Sequence, residues 1–238
     1  SDVAGLPERS GRGLLIWGSG EYRKSDPYLA YMPLKSIEDR PTIRYFKSLG
    51  SNGSPEWSEK EEDAAPLFHD PVIGEFSVTW NRYLKRWIML YDGVFMRSSA
   101  MPWGSWSSKQ TLFDAWGDGG FGHFIHISWS SNKADNVSDP LREYEWGGPY
   151  GPYIIDKFTE GHDGRSTIYF TLSTWNPYTV VLMRAELELK SVDGGAPKPP
   201  AIPAFPPEAI GLGLSIAIAT SLFFRKRKPV SHFAEHRD

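Results

Sequence analysis

Glu75 stands at the mouth of an apolar, β-favouring run, Val72 to Trp87 (VIGEFSVTWNRYLKRW), which continues at once into IMLYDG. A turn over Asn81 to Lys85 joins the two halves of that run. A carboxylate so placed either accepts backbone N–H bonds from a neighbouring sheet or faces a ligand. In the second case it can act as general acid, base or nucleophile on a glycosidic bond, provided a second carboxyl group lies ~5–9 Å away. Asp92 and Asp156 are the candidates for that partner. Each lies at a hairpin turn or strand end, as Asp26 does, where Asp is also ordinary turn chemistry.

Other side chains could hold a substrate. His123 and His126 are three apart, so strand alternation puts them on opposite faces, which argues against a metal pair and leaves His126 as a substrate contact. Trp146, Tyr150 and Tyr153, in EWGGPYGPYII, read as an aromatic wall that could stack on sugar rings or serve the core. Arg97 and Arg184 could bind carboxylate or phosphate bidentately, or bridge neighbouring sheets. A sialidase-like reading needs three converging arginines, for which Arg97, Arg184 and Arg23 are available. There is no P-loop, dinucleotide fingerprint, GxSxG or HExxH, so no nucleotide, nicotinamide, serine-esterase or zincin chemistry is expected, and no cofactor. The chain has no cysteine, which removes disulfides and thiolate metal sites.

The elements that must position these groups are strands. Aromatics make up 14% of 238 residues, and 23 Gly with 19 Pro punctuate the chain too often for long helices. Three segments stack on one another: Leu14 to Leu34, Arg86 to Gly104 and Ser166 to Leu187. Each predicts strand, turn, strand, with turns at Gly18 and Gly20, at Asp92-Gly93 and at Asn176-Pro177. Arg97 and Arg184 fall at one place in the second strand, where the first copy shows Tyr31. An inner strand precedes the second hairpin (Gly74 to Asn81) and the third (Tyr150 to Asp156), while only thirteen residues precede the first.

Leu15, Ile88 and Ile168 mark spacings of 73 and 80 residues, long beside a blade of about 40–50, so long loops are inserted. The pattern predicts an all-β, partial β-propeller whose N-terminal blades are missing; an open β-sandwich is the alternative. Ser1, with no initiator Met, reads as a processed or truncated N-terminus. HFIHISW (His123 to Trp129) predicts one more strand in the glycine-rich insertion from Asp114 to Pro149.

Composition changes after Lys190. Residues 1–190 form the propeller-like domain and 191–208 a proline-rich linker. Residues 209–224, AIGLGLSIAIATSLFF, are an apolar run of sixteen, about 24 Å as a helix against a ~30 Å hydrocarbon core. Arg225 to Lys228 follow directly, within a basic tail over 225–238. Lying between a proline spacer and a basic cluster, the run predicts a transmembrane helix, its tail cytoplasmic and the large domain outside at the cell surface. Charge is unevenly spread: +3 falls on residues 209–238, leaving −6 for the body, which argues against nucleic acid as a partner. Sequons at Asn52 and Asn136 fit an exported face. The oligomeric state is not legible.

Four motifs in order, GEFSVTWN with RWIMLY, MRSSAMPWGSWS, YGPYI and TIYFTLSTWNPYTVVLMRAEL, resemble the domain of unknown function family 4185 over about residues 13–190. Members are similar to five-bladed propeller glycosidases, and one actinobacterial branch is known as endo-D-arabinanases. The resemblance implies a five-bladed ring whose first blades precede Ser1, and carbohydrate as the partner. It puts Glu75 on the family's Gly-Glu pair and Tyr150 to Tyr153 on its Tyr-Gly-Pro-Tyr, whereas Tyr31 replaces an expected Arg. The tail from Pro206 resembles archaeal C-terminal sorting and anchoring segments. These observations imply a surface-anchored glycoside hydrolase or, alternatively, a non-catalytic glycan-binding or scaffold module.

Overall fold

The computed structural model describes residues 3–8, 12–127, 137, 139–142 and 144–189. Within them the chain is all-β, with helix confined to short 3₁₀ turns. The first sheet is an antiparallel meander of β1 (Gly13–Ser19), β2 (Pro27–Pro33), β3 (Arg44–Leu49) and β4 (Pro55–Ser58). The second repeats that order with β5 (Phe76–Asn81), β6 (Arg86–Tyr91), β7 (Phe95–Ser99) and β8 (Gln110–Thr111). In the third, β11 (Arg165–Trp175) pairs with β12 (Thr179–Glu188) along one edge. Its other edge is shared by β9 (Gly148–Ile154) and β10 (Glu160–His162).

The second sheet lies between the other two, which explains why RWIMLY lacks polar alternation. Ile88 and Leu90 pack with Ile154, Ile168, Phe170 and Leu172 of the third sheet. Met89 and Tyr91, on the opposite face, pack with Ile73 and with Trp17 of β1. The Trp17 and Trp87 rings meet at 5.1 Å. A strand covered on both faces has no position to give to a polar side chain. β11 has one covered face only, and alternates: Ser166, Ile168, Phe170, Leu172 and Thr174 are buried while the residues between them are not. Its outer face continues across β12 through Val180 and Leu182, 62% and 65% exposed.

All three hairpins read from the sequence form, pairing Leu15 with Tyr31, Ile88 with Ser98 and Ile168 with Ala185. That register corrects one alignment. Arg97 and Arg184 pair one step further along, with Met89 and Tyr169, and the matching residue of the first hairpin is Ala30, opposite Ile16. Hairpin loops of unequal length shift the second strands in sequence without shifting them in space. Four strands lie outside the sequence expectation: the short β8 and β10, and the longer pair β3 and β4. Their turn is Asn52-Gly53, with Gly53 at φ 76 and Asn52 Oδ1 accepting the Ser54 N–H at 2.9 Å. Asn52-Gly53 is thus both the start of a sequon and an Asn-Gly hairpin turn.

The strand expected at His123 to Trp129 does not form over its described part. Gly120 O instead accepts the N–H groups of His123, Phe124 and Ile125 in a tight loop, leaving one parallel bridge, Phe121 to Ile125. The linker, the apolar run at 209–224 and the basic tail lie outside the described residues, as does Asn136. Among the described residues no helix is long and apolar enough to cross a membrane.

Asn81 ties the second and third sheets together. Fully buried at the end of β5, it accepts the N–H groups of Tyr83 and Leu84 through Oδ1, shaping the turn into β6. Its Nδ2 donates to Ser166 Oγ of β11 at 2.7 Å.

Candidate functional site

β5 and β9, from different sheets, run side by side. Ile154 N–H donates to Ser77 Oγ at 3.1 Å, and a Cβ placed on Gly151 would lie 3.9 Å from the Cβ of Glu75. This approach depends on a bulge. Tyr150 pairs with Ser173 and Tyr153 with Thr171, so Gly151 and Pro152 together oppose Leu172. Gly151 takes φ 58, the left-handed conformation that such a bulge asks of its extra residue.

Glu75 immediately precedes β5, and its carboxylate is held from the β1–β2 loop. Tyr22 Oη donates to Oε1 at 2.8 Å, and Arg23 Nη2 lies 3.4 Å from Oε2 as an ion pair. The loop can descend this far because residue 74 is glycine: a Cβ there would sit 2.9 Å from Arg23 Nε and 3.3 Å from Tyr22 Cε2. Asp92, in the β6–β7 turn at φ 50, is pinned to the same segment twice. Its N–H donates to Glu75 O at 3.2 Å, and its Oδ1 accepts the Gly74 N–H at 2.9 Å.

The two carboxyl groups are driven in opposite directions. Burial pushes Glu75 up, but its own N–H, the Tyr22 hydroxyl and the Arg23 guanidinium outweigh burial and hold it below its ordinary value. Burial also pushes Asp92 up, and the nearby Asp70 and Glu75 charges add to it; the Gly74 N–H and Arg23 oppose the rise without cancelling it. Tyr22, donating to a carboxylate and lying near its charge, is raised.

A second polar group lies close by. Asp26 Oδ1 accepts the Asp70 N–H at 2.6 Å and its Oδ2 meets His69 Nδ1 at 3.1 Å. Asp70 Oδ2 receives Tyr91 Oη, Arg97 Nη2 and Lys109 Nζ at 3.1, 3.3 and 3.4 Å. Arg97 also donates to Tyr91 Oη and Ser107 O, and stacks 4.4 Å above Phe68. Every part of that guanidinium is in use inside the protein. Arg97 thus ties β7 to β6, to the β7–β8 connection and to the segment leading into β5.

The remaining candidates are scattered. Asp156 is exposed at the start of the 3₁₀ turn Asp156–Phe158, past the end of β9 and beyond the Ser77–Ile154 contact as seen from Glu75. His126 is fully buried, its backbone bonded to Asn176 O and Gly147 N, whereas His123 is exposed. The aromatic wall divides: the bulge puts Tyr150 and Tyr153 together on the outer face of the third sheet, with Thr171 and Ser173. Trp146 instead packs against Trp116 and Phe121, ring centroids 5.3 and 5.6 Å away. Arg184 lies on the outer face and pairs with Glu186, so Arg23, Arg97 and Arg184 do not converge. Among the described residues no group of three or more His, Asp or Glu side chains could hold a metal ion.

Glu75 and Asp92 are thus brought together, with Arg23 beside them. Tyr22 was missed by sequence reasoning. The loop Gly20 to Asp26 carried a turn signal, but no local spacing says which of its side chains meets a residue fifty positions later.

These features define a class: an all-β protein of stacked antiparallel meanders, with an ionic site where an internal strand begins. The chain belongs to the family described as Domain of unknown function (DUF4185), whose profile matches residues 4–184 and so takes in all three sheets. No curated protein matches it.

Proposed function

We propose that this chain is the carbohydrate-active part of a cell-surface protein and acts as a glycoside hydrolase, with Glu75 and Asp92 as its two carboxyl groups. The observation that carries the reading is their pairing: two acids pinned to one backbone segment, one lowered and the other raised from its ordinary value. That division is what acid–base cleavage of a glycosidic bond requires. Trp116, 61% exposed above Phe121 and Trp146, offers an aromatic face for a sugar ring.

In this reading the three sheets are neighbouring blades of a five-bladed propeller, with β5 and β9 as innermost strands. The uncovered apolar side chains of Ile16 on the first sheet and Val180 and Leu182 on the third support it, as faces for further blades. The apolar run at 209–224 and Arg225 to Lys228 then anchor the protein, with the large domain outside. A second reading, a non-catalytic glycan-binding module, is favoured by one fact: both oxygens of Glu75 are already engaged.

The test is hydrolysis of a polysaccharide panel by the full chain, Glu75→Gln and Asp92→Asn. Glu75 must be ionised, so kcat/KM rises as pH climbs through a value below 4.5. Asp92 must be protonated, so kcat/KM falls as pH climbs through a value above 3.8, giving an optimum on the acid side. Glu75→Gln loses roughly 10²–10⁴-fold in turnover, and Asp92→Asn loses the descending limb. Glycan retention without product by the parent protein would establish the binding module instead.

A further inference from the structure

Glu75 is not the outermost group of its own site. Tyr22 is exposed, the Glu75 side chain is only partly so, and the Tyr22 hydroxyl caps Oε1. Attack by Glu75 would require breaking a 2.8 Å charge-assisted bond and moving the ring that makes it. The same geometry suits a different division of labour. A nucleophile within hydrogen-bond reach of a base, the base oriented by a third group, is the usual arrangement for activating a weak hydroxyl. Tyr22 Oη donates to Glu75 Oε1 at 2.8 Å and Arg23 Nη2 to Glu75 Oε2 at 3.4 Å, which completes that series through the carboxylate. The Arg23 guanidinium also lies 5.2 Å from the centroid of the Tyr22 ring, where it favours negative charge developing on the phenol.

Resting on the glycoside-hydrolase reading above, we propose that Tyr22 is the nucleophile and Glu75 the base that takes its proton. In the first step Tyr22 Oη bonds to the anomeric carbon while the glycosidic C–O bond breaks. The bonding pair leaves with the aglycone oxygen, which takes the proton of Asp92, and the Tyr22 proton passes to Glu75 Oε1. In the second step the Asp92 carboxylate takes a proton from water, whose oxygen bonds to the anomeric carbon. Tyr22 Oη departs and recovers its proton from Glu75. Two displacements at one carbon give retention of configuration.

The experiment traps the intermediate. The full chain is incubated with aryl glycosides of pentoses and hexoses that carry fluorine beside the anomeric carbon, then digested and mapped by mass spectrometry. The expected label falls on Tyr22, and Tyr22→Phe loses turnover roughly a thousandfold or more while its circular dichroism matches the parent. Hydrolysis with the label on Glu75 overturns the assignment and leaves the hydrolase standing. So does a Tyr22→Phe variant within tenfold of the parent, the result for a residue that merely positions Glu75. A parent protein that neither hydrolyses nor is labelled by any probe overturns the hydrolase reading and this assignment together.

Discussion

Replacing Gly74 by Ala separates the stability of the site from its electrostatics. Gly74 is not in the left-handed region, so its backbone accepts alanine, and the loss of unfolded-state freedom stabilises by about 0.4–1 kcal/mol. Against this, the new Cβ would lie 2.9 Å from Arg23 Nε, 3.0 Å from Arg23 Cγ and 3.3 Å from Tyr22 Cε2, so both side chains must move. Both are exposed and can move into solvent. The Arg23–Glu75 pair, at 47% and 36% side-chain exposure, contributes at most about 1 kcal/mol. The Tyr22 bond contributes less than the ~1.5 kcal/mol of a shielded one. These effects offset one another, and the expected change in stability is within about 2 kcal/mol of zero.

The Glu75 carboxyl group responds differently. Tyr22 and Arg23 are two of the influences that keep it low against burial, so in Gly74→Ala its pKa climbs. The linkage follows in sign: a carboxyl group lowered by folding adds stability above 4.5 that is lost as pH falls through the folded value. Gly74→Ala therefore flattens the acid limb of the stability curve, and the stability that Glu75 no longer adds above 4.5 is part of the offsetting sum at neutral pH. The assay is thermal unfolding from neutral to acid pH, paired with an NMR titration of the Glu75 carboxyl carbon. A Glu75 titration identical to the parent's, or a loss above about 3 kcal/mol at neutral pH, would refute the reasoning.

Two further substitutions probe the frame. Asn81→Ala removes three hydrogen bonds at a fully buried position and orphans the Tyr83 and Leu84 N–H groups; urea unfolding should show a loss of about 3–4 kcal/mol. The double variant with Ser166→Ala should show a coupling of about 1 kcal/mol, since Ser166 Oγ keeps its bond to Glu160 O. Gly147→Ala would set a Cβ 2.2 Å from Asn176 O and 2.6 Å from Trp175 O, backbone atoms that cannot turn aside, and should yield no cooperative thermal transition like the parent's. Gly151→Ala meets nothing closer than 3.9 Å and should cost only the ~1–2 kcal/mol of left-handed backbone, by the same melt.

The β6 run RWIMLY and the alternating β11 run were legible as strands because each pattern states how many faces are covered. Asp92-Gly93 was legible as a hairpin turn because those residue types tolerate a positive φ, which Asp92 takes at 50 and Val94, not Gly93, at 133. Glu75 was legible as a charged residue at the mouth of a buried strand. Its neighbours were not, and neither was the fate of Arg97 and Arg184, which are alike in sequence position. One is enclosed by Asp70, Tyr91 and Phe68, and the other faces outward beside Glu186. Strand pattern reports covering by something, never by what.

From its residues alone, then, this chain determines its all-β character, its three hairpins and the position of one carboxylate at a strand's start. These are properties of periods of two and of turn chemistry, both written within a few residues. Tertiary structure alone decided that Tyr22 and Arg23 reach Glu75, that Asp92 is pinned beside it, and that Asp156 and His126 lie elsewhere. The Tyr22 and Arg23 contacts join loops of separate sheets, and Asp92 reaches the Gly74–Glu75 segment across the second sheet, so their geometry comes from the pairing and stacking of whole sheets.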